Sequence, residues 1–286
     1  MFNLLVVFIL ISVILPVYNG ELFVSEAIES ILNQDFKDFE LICINDGSTD
    51  RTKEILDYYR NKDSRIIVIE RENKGLIYSL NEGLDKASYD YIARMDADDI
   101  AFPERLSLQL EFLKKNPKIA VVGSRYQYIN EKNEIIGIRK SPSQNSLLKM
   151  LLSFGSPFGH PTVMMNRSIL GNDLYYDHKY KAAEDYELWL RLSKKYNFAC
   201  LKKPLLLYRV LETSISRSQR EVQLTSMVEA MMTHLFRSGV TNMMIRSFID
   251  RKLSYLSSIN LISKQNSNYF YRIGTMLMFS ILILRR

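Results

Sequence analysis

Three carboxylates fall within four residues at Asp96-Ala97-Asp98-Asp99. Held that closely, they repel one another unless a cation neutralises them. A hard divalent ion, Mn²⁺ or Mg²⁺, bound by one or two carboxylates together with diphosphate oxygens, is the arrangement such a cluster favours. The structural alternative is a group of helix caps ahead of Pro103. A second acidic pair, Glu184-Asp185, opens an amphipathic helical stretch, Ala183-Glu184-Asp185-Tyr186-Glu187-Leu188-Trp189. By itself that pair need do no more than complement a helix dipole. His160 stands in a Gly/Pro-rich loop, Phe158-Gly159-His160-Pro161-Thr162. It is placed either to contact a diphosphate, metal or acceptor, or simply to face solvent. Trp189 is assigned to core packing ahead of sugar stacking, and no role is assigned to His178 or His234.

The elements that must hold these groups follow from hydrophobic period. Residues 11–17 form a β-branched run ending at Pro16, and residues 39–44, 65–69 and 89–95 read as three further strands. Between them lie helical stretches over 21–32 and 75–84, and a helix reaching Tyr59 that Ser48–Asp50 is placed to cap. Strands alternating with helices of this length imply right-handed βαβ units and a mostly parallel sheet. A helix from Pro103 to about Lys115, a strand at 119–123, a hairpin over 125–139 turning at Glu131-Lys132-Asn133, and a helix over 184–196 complete this part.

In an open parallel sheet, ligands bind at the carboxyl ends of the strands. Four successive strands deliver polar loops there: Pro16-Val17-Tyr18-Asn19, Asn45-Asp46-Gly47-Ser48-Thr49-Asp50, Arg71-Glu72-Asn73-Lys74-Gly75, and the Asp96–Asp99 cluster. Neither G-x-G-x-x-G after the first strand nor G-x-x-x-x-G-K-[ST] anywhere is present, which argues against dinucleotide oxidoreductases and P-loop enzymes.

On these residues the chain resembles the nucleotide-binding half of family 2 glycosyltransferases, whose fold is called GT-A, over about residues 11–216. The resemblance implies that Pro16, Val17, Tyr18, Asn19 and Asp46 hold the nucleobase and ribose, uracil being the commonest base. It implies that Lys74 and Gly75 lie near the base or diphosphate, that Asp96 and Ala97 approach the ribose, and that Asp98, with Asp99 beside it, ligates Mn²⁺ or Mg²⁺. Glu184-Asp185 looks like the family's Glu-Asp motif, with Asp185 at the position of the base that deprotonates the acceptor hydroxyl. Tyr208-Arg209-Val210-Leu211 through Ser216 resembles the segment closing many such catalytic domains. Leu211 stands where that pattern often carries histidine, leaving Arg209, Ser214 or Arg217 to supply charge and hydrogen bonds. The Q-x-x-R-W motif of processive synthases is absent, so one sugar per encounter is expected.

Formal net charge is +6 over 286 residues. Residues 216–286 carry 10 Lys+Arg against 3 Asp+Glu, so the basic excess is confined to the C-terminal quarter. Solvated helix surface, an anionic membrane face and nucleic acid are the three readings of that excess. Aromatic–basic interleaving there is only partial (Tyr255, Tyr269, Tyr271), so nucleic acid is not expected. The apolar run 4–17 and the stretch 276–284 are too short to span a bilayer, and the former lacks a signal peptide's basic start and cleavage site. Two distant cysteines, Cys43 and Cys200, form no disulfide framework and suit a reducing compartment.

The expectation is therefore an α/β GT-A catalytic domain over 1–216, its nucleotide half at 11–123 and acceptor half at 124–216, followed by a basic helical region over 217–286. It would transfer a hexose with inversion from a UDP-sugar to an oligosaccharide or polyprenyl-diphosphate-sugar acceptor in surface-polysaccharide synthesis. Its place would be peripheral, at the cytoplasmic face of the inner membrane. A nucleotidyltransferase is the first rival, though it usually brings an Arg/Lys-bearing Gly-rich loop where Pro16–Gly20 stands. A non-catalytic nucleotide-sugar binder is the second, with no need for both Asp98 and Asp185.

Overall fold

The computed structural model describes residues 11–211 and 219–235. Expectations placed on 1–10, on Ser214 and Arg217, and on helices past residue 235 lie outside the described residues. The chain divides into two compact units, the first formed from 11–141, 158–175 and 199–211, the second from 142–157, 176–198 and 219–235.

The first unit is built on strands β1 (Ile11–Val17), β2 (Phe39–Asp46), β3 (Ile66–Arg71) and β4 (Tyr91–Arg94), parallel in the order β3-β2-β1-β4. Helices α1 (Val24–Leu32), α2 (Thr52–Lys62) and α3 (Leu76–Lys86) form the crossovers. Every residue of β1 and β2 is buried, as strands covered on both faces require, and this is why they read as unbroken apolar runs. On α1 the buried residues are Val24, Ala27, Ile28 and Ile31, the i, i+3, i+4, i+7 stripe of a helix laid on a sheet. On α3, a Cβ at Gly83 would meet Ile14 Cγ2 at 2.5 Å, so only glycine lets the helix approach β1 this closely.

The sheet continues through β8 (Met164–Asn166), β6 (Ile119–Ile129), β9 (Asn197–Arg209) and β5 (Ile100–Ala101), with β7 (Ile135–Arg139) paired to β6. The β4–β8, β6–β8, β6–β7 and β5–β9 pairs are antiparallel. Helix α4 (Arg105–Lys115) packs beside them, burying Leu106, Leu110 and Leu113.

Several boundaries differ from the periodicity reading. Helix α1 starts at Val24 because residues 21–23 form a turn, with the Gly20 carbonyl accepting from the Phe23 and Val24 amides. No side chain caps α2 from its N-cap position, Arg51. Ser48 and Thr49 bond to Asn19 instead, and only the Asp50 carboxylate reaches the Thr52 amide, at 3.0 Å. The strand expected at 119–123 runs straight into the hairpin as one strand, β6. Asn133 adopts φ 63° in the hairpin turn, a conformation asparagine tolerates.

The second unit contains α5 (Asn145–Leu151), α6 (Glu184–Leu192) and α7 (Arg220–Leu235). Trp189 is fully buried and meets Phe198 edge-on at 6.3 Å, in keeping with its assignment to the core. Helix α6 ends at Leu192, four residues earlier than its apolar spacing suggests, where the Ser193 and Tyr196 amides turn back to Trp189 and Leu192. Val228, Ala230, Met231 and Met232 of α7 are buried. Both cysteines are buried free thiols, each pushed up to about 12 by desolvation, so neither is a nucleophile. Among the described residues no helix is long and apolar enough to cross a membrane.

Candidate active site

The strand order places a topological switch point at β1, whose neighbours β2 and β4 lie on opposite sides. The last β1–β4 pair is Ile14 with Arg94, and past it the two strands lead into Pro16–Asn19 and Asp96–Asp99. Crevices of this kind, at the carboxyl ends of diverging parallel strands, are where open α/β sheets bind ligands.

Ligand oxygens of Asp96, Asp98 and Asp99 lie within 4.8 Å of one another. Asp99 is fully enclosed. Its Oδ1 accepts the Arg209 amide at 2.8 Å, while Oδ2 is buried with no hydrogen-bond partner among the described residues. Burial and then the neighbouring Asp96 charge push the Asp98 carboxyl up to about 7. Burial, then Asp96 and Asp98, raise Asp99 well above the carboxylate range. An orphaned carboxylate oxygen and two carboxyls resisting ionisation fit a divalent cation held among them. Oxygen-only donors suit Mn²⁺ or Mg²⁺. The helix-cap alternative does not hold: β5 intervenes, and α4 is preceded by Glu104 with no side-chain cap bond.

The first three loops are joined by side-chain-to-backbone bonds. Asn19, at φ 50°, accepts the Thr49 amide at 2.8 Å and gives its own amide to Ser48 Oγ at 2.9 Å. The Gly20 amide donates to Thr52 Oγ1 at 2.8 Å. Tyr18 is left 54% exposed beside them, an open aromatic face. Asp46, 4% exposed, accepts the amides of Lys74 at 2.8 Å and Gly75 at 2.9 Å and is ion-paired with Arg71. Gly75, at φ +91°, is the N-cap residue ahead of α3, and the Lys74 ammonium lies 4.6 Å from the Tyr78 ring centroid. Asp46 thus fixes the loop carrying Lys74 and Gly75.

His160 begins a short 3₁₀ turn and is half-buried. Desolvation and the Arg94 charge hold its imidazole well below the usual histidine range, hence neutral. Arg209 has no exposed side-chain surface; it bonds the Asp98 carbonyl and pairs with Glu26. In the second unit, Glu184 is buried and Asp185 half-buried at the first turn of α6, where the Asp185 carboxylate accepts the Tyr186 amide at 2.7 Å.

Two buried arginines, Arg94 and Arg105, went unremarked in the sequence, and Arg71, half-buried, was read only as part of a polar loop. Arg94 is ion-paired with Asp96, Arg71 with Asp46, and Arg105 donates to the Arg94 carbonyl at 2.6 Å. The signal for Arg94 was a charged residue inside the apolar run of β4.

Comparison with known proteins identifies the family. The model of the family described as Glycosyl transferase family 2 matches residues 12–172. An uncharacterised glycosyltransferase of Haemophilus influenzae is 37% identical over 211 residues, 70% of this chain but 65% of that protein, so the chain spans just under two thirds of its length. The O-antigen biosynthesis glycosyltransferase WbnJ of Escherichia coli is 35% identical over 73% of this chain and 83% of its own. The Escherichia coli UDP-Glc:alpha-D-GlcNAc-diphosphoundecaprenol beta-1,3-glucosyltransferase WfgD is 33% identical over 73% and 81%. Among solved structures, S. aureus TarS 1-349 in complex with UDP-GlcNAc superposes with a TM-score of 0.63 at 20% identity, covering 94% of this chain and 79% of that one. The mannosyltransferase PcManGT of Pyrobaculum calidifontis, in complex with GDP-Man and Mn²⁺, does so with a TM-score of 0.61 at 16% identity, covering 96% and 84%. The fold is thereby GT-A. With a family model spanning more than half of its length and relatives aligned over most of theirs, this chain belongs to glycosyl transferase family 2.

Proposed function

We propose that the protein is an inverting hexosyltransferase that moves a sugar from UDP to a saccharide or polyprenyl-diphosphate-linked sugar in surface-polysaccharide synthesis. The observation that carries this reading is the Asp96–Asp99 cluster at the switch-point edge, with its orphaned Asp99 oxygen and raised carboxyls. The catalytic domain is taken as residues 1–216 and the basic region as 217–286.

In this reading Pro16, Val17, Tyr18, Asn19 and Asp46 shape the place of the base and ribose, and Lys74 and Gly75 border the base or diphosphate. Asp96 and Ala97 approach the ribose. Asp98, with Asp99 behind it, would hold the divalent cation, which when bound supplies charge stabilisation for the departing diphosphate. Asp185 accepts the proton of the acceptor hydroxyl as that oxygen attacks the anomeric carbon. A single displacement with one base inverts the configuration, so an α-linked donor yields a β-linkage. The names of WfgD and of the TarS complex support a UDP-sugar donor, and the name of WfgD supports a lipid-diphosphate-linked acceptor. The Mn²⁺ in the PcManGT complex supports a metal. An acceptor of this class would be met at the cytoplasmic face of the inner membrane.

Nucleotide release is the test. A panel of UDP- and GDP-sugars, with and without Mn²⁺, is offered with a GlcNAc-diphospho-lipid analogue and free saccharides. Metal-stimulated release of UDP from one donor is expected. A protein that binds UDP yet turns over none of the donors would be a nucleotide-sugar binder.

A further inference from the structure

Arg209 joins three separate segments, two of which carry residues assigned to the proposed site. Its backbone amide donates to Asp99 Oδ1 at 2.8 Å and its Nε to the Asp98 carbonyl at 2.8 Å. Nη1 donates to the Asn130 carbonyl at 3.1 Å and to Asn133 Oδ1 at 2.6 Å, both at the turn between β6 and β7. Nη2 donates to Glu26 Oε2 at 2.8 Å, and the guanidinium lies 4.3 Å from the Phe23 ring centroid. The side chain is 0% exposed, whereas Glu26 is 44% exposed. The donors form a rigid planar fork, so three segments distant in sequence are held at fixed separation by one side chain.

Two of those segments carry the proposed ligands. Phe23 and Glu26 belong to the turn and first helix that follow Tyr18 and Asn19, and Asp98 and Asp99 form the acidic loop. Because Nε bonds the main-chain carbonyl of Asp98, the Asp98 carboxylate is left out of this brace. With its donors directed to these acceptors, Arg209 is not a diphosphate ligand.

We propose that Arg209 is a positioning residue that locks the acidic loop to the β1–α1 segment, so that cation binding and nucleoside-diphosphate binding reinforce each other. This rests on the metal and nucleotide assignments made above. Lysine has one nitrogen for acceptors spread over three segments and cannot replace it. Outer-shell partners of metal ligands typically matter by about 10–100-fold in metal affinity, and the effect here falls on the mutual enhancement of the two ligands.

Calorimetry of UDP binding to the full chain, with and without Mn²⁺, reads this directly. In the wild type Mn²⁺ tightens UDP binding. In Arg209→Lys the tightening falls by about tenfold, with UDP affinity in EDTA retained. Glu26→Ala removes only the outer, half-exposed anchor, so it folds where an Arg209 variant fails to, and it lowers the same enhancement more mildly. A purely structural role would lower the melting temperature, or both UDP affinities equally, and leave the Mn²⁺ enhancement unchanged; that result in either variant overturns the proposal. A wild type that binds UDP with no Mn²⁺ enhancement, or binds none, overturns the proposal together with the functional reading beneath it.

Discussion

Arg105 enters the core from the first turn of α4 with no exposed surface. It donates to the carbonyls of Arg94 at 2.6 Å and Val163 at 3.4 Å and to Gln109 Oε1 at 3.2 Å. Burial pushes its guanidinium down to about 9, still cationic at neutral pH. Those carbonyls border β4 just before the acidic loop, so the side chain stabilises the backbone from which Asp96 emerges. Arg105→Met should cost roughly 3 kcal/mol, because it takes away the guanidinium donors to the Arg94 carbonyl and Gln109 Oε1 inside the core. The urea midpoint measures this, and a loss below about 1 kcal/mol would mean that water or a neighbour replaces the guanidinium. Nothing in the sequence distinguishes such an arginine from an exposed one on an amphipathic helix. Arg94 did interrupt an apolar run and Arg71 closed a strand, yet their partners, Asp96 and Asp46, became visible only with the strands in register.

Helix α6 shows the same division at the level of elements. Its acidic start and apolar side were legible in Glu184, Asp185, Leu188 and Leu192, because a 3.6-residue period needs no tertiary information. What covers it was not legible. Glu187, 1% exposed, is held by Arg191 Nε at 2.8 Å and by His234 of α7 at 2.9 Å, and His234 also meets Lys194 at 3.1 Å. Burial would raise the Glu187 carboxyl, but the His234 and Arg191 hydrogen bonds outweigh it and hold it below its usual value of 4.5. A carboxyl depressed in the folded state stabilises above its unfolded pKa and loses that contribution as pH falls through the folded one. Glu187→Gln should therefore weaken the protein near neutrality and flatten the acid limb of its stability profile. Melting temperature followed from neutrality downward through the carboxylate range checks this; a parallel profile for the two proteins would contradict it. The βαβ half was legible for a related reason. Strands buried on both faces must be apolar throughout, whereas the antiparallel strands β5, β8 and β9 are short or half-exposed and merge with their surroundings.

At the scale of the whole molecule, charge and chemistry separate along the chain. The described helix α7 carries Arg220 against Glu221 and Glu229, so the basic excess of the C-terminal quarter falls beyond it. If that excess brings the enzyme to an anionic membrane, removing residues 260–286 should reduce sedimentation with anionic vesicles while sparing UDP binding; unchanged sedimentation would contradict a membrane role for the tail. The proposed reaction needs both acidic motifs for different reasons, and one measurement separates them. UDP release and UDP binding are followed side by side, with Mn²⁺, in the wild type, Asp98→Ala and Asp185→Asn. Full turnover is expected in the wild type, a loss of at least about a hundredfold in Asp185→Asn with UDP binding kept, and loss of the Mn²⁺-enhanced UDP binding in Asp98→Ala. Turnover undiminished in Asp185→Asn, or Mn²⁺-enhanced binding intact in Asp98→Ala, would contradict it.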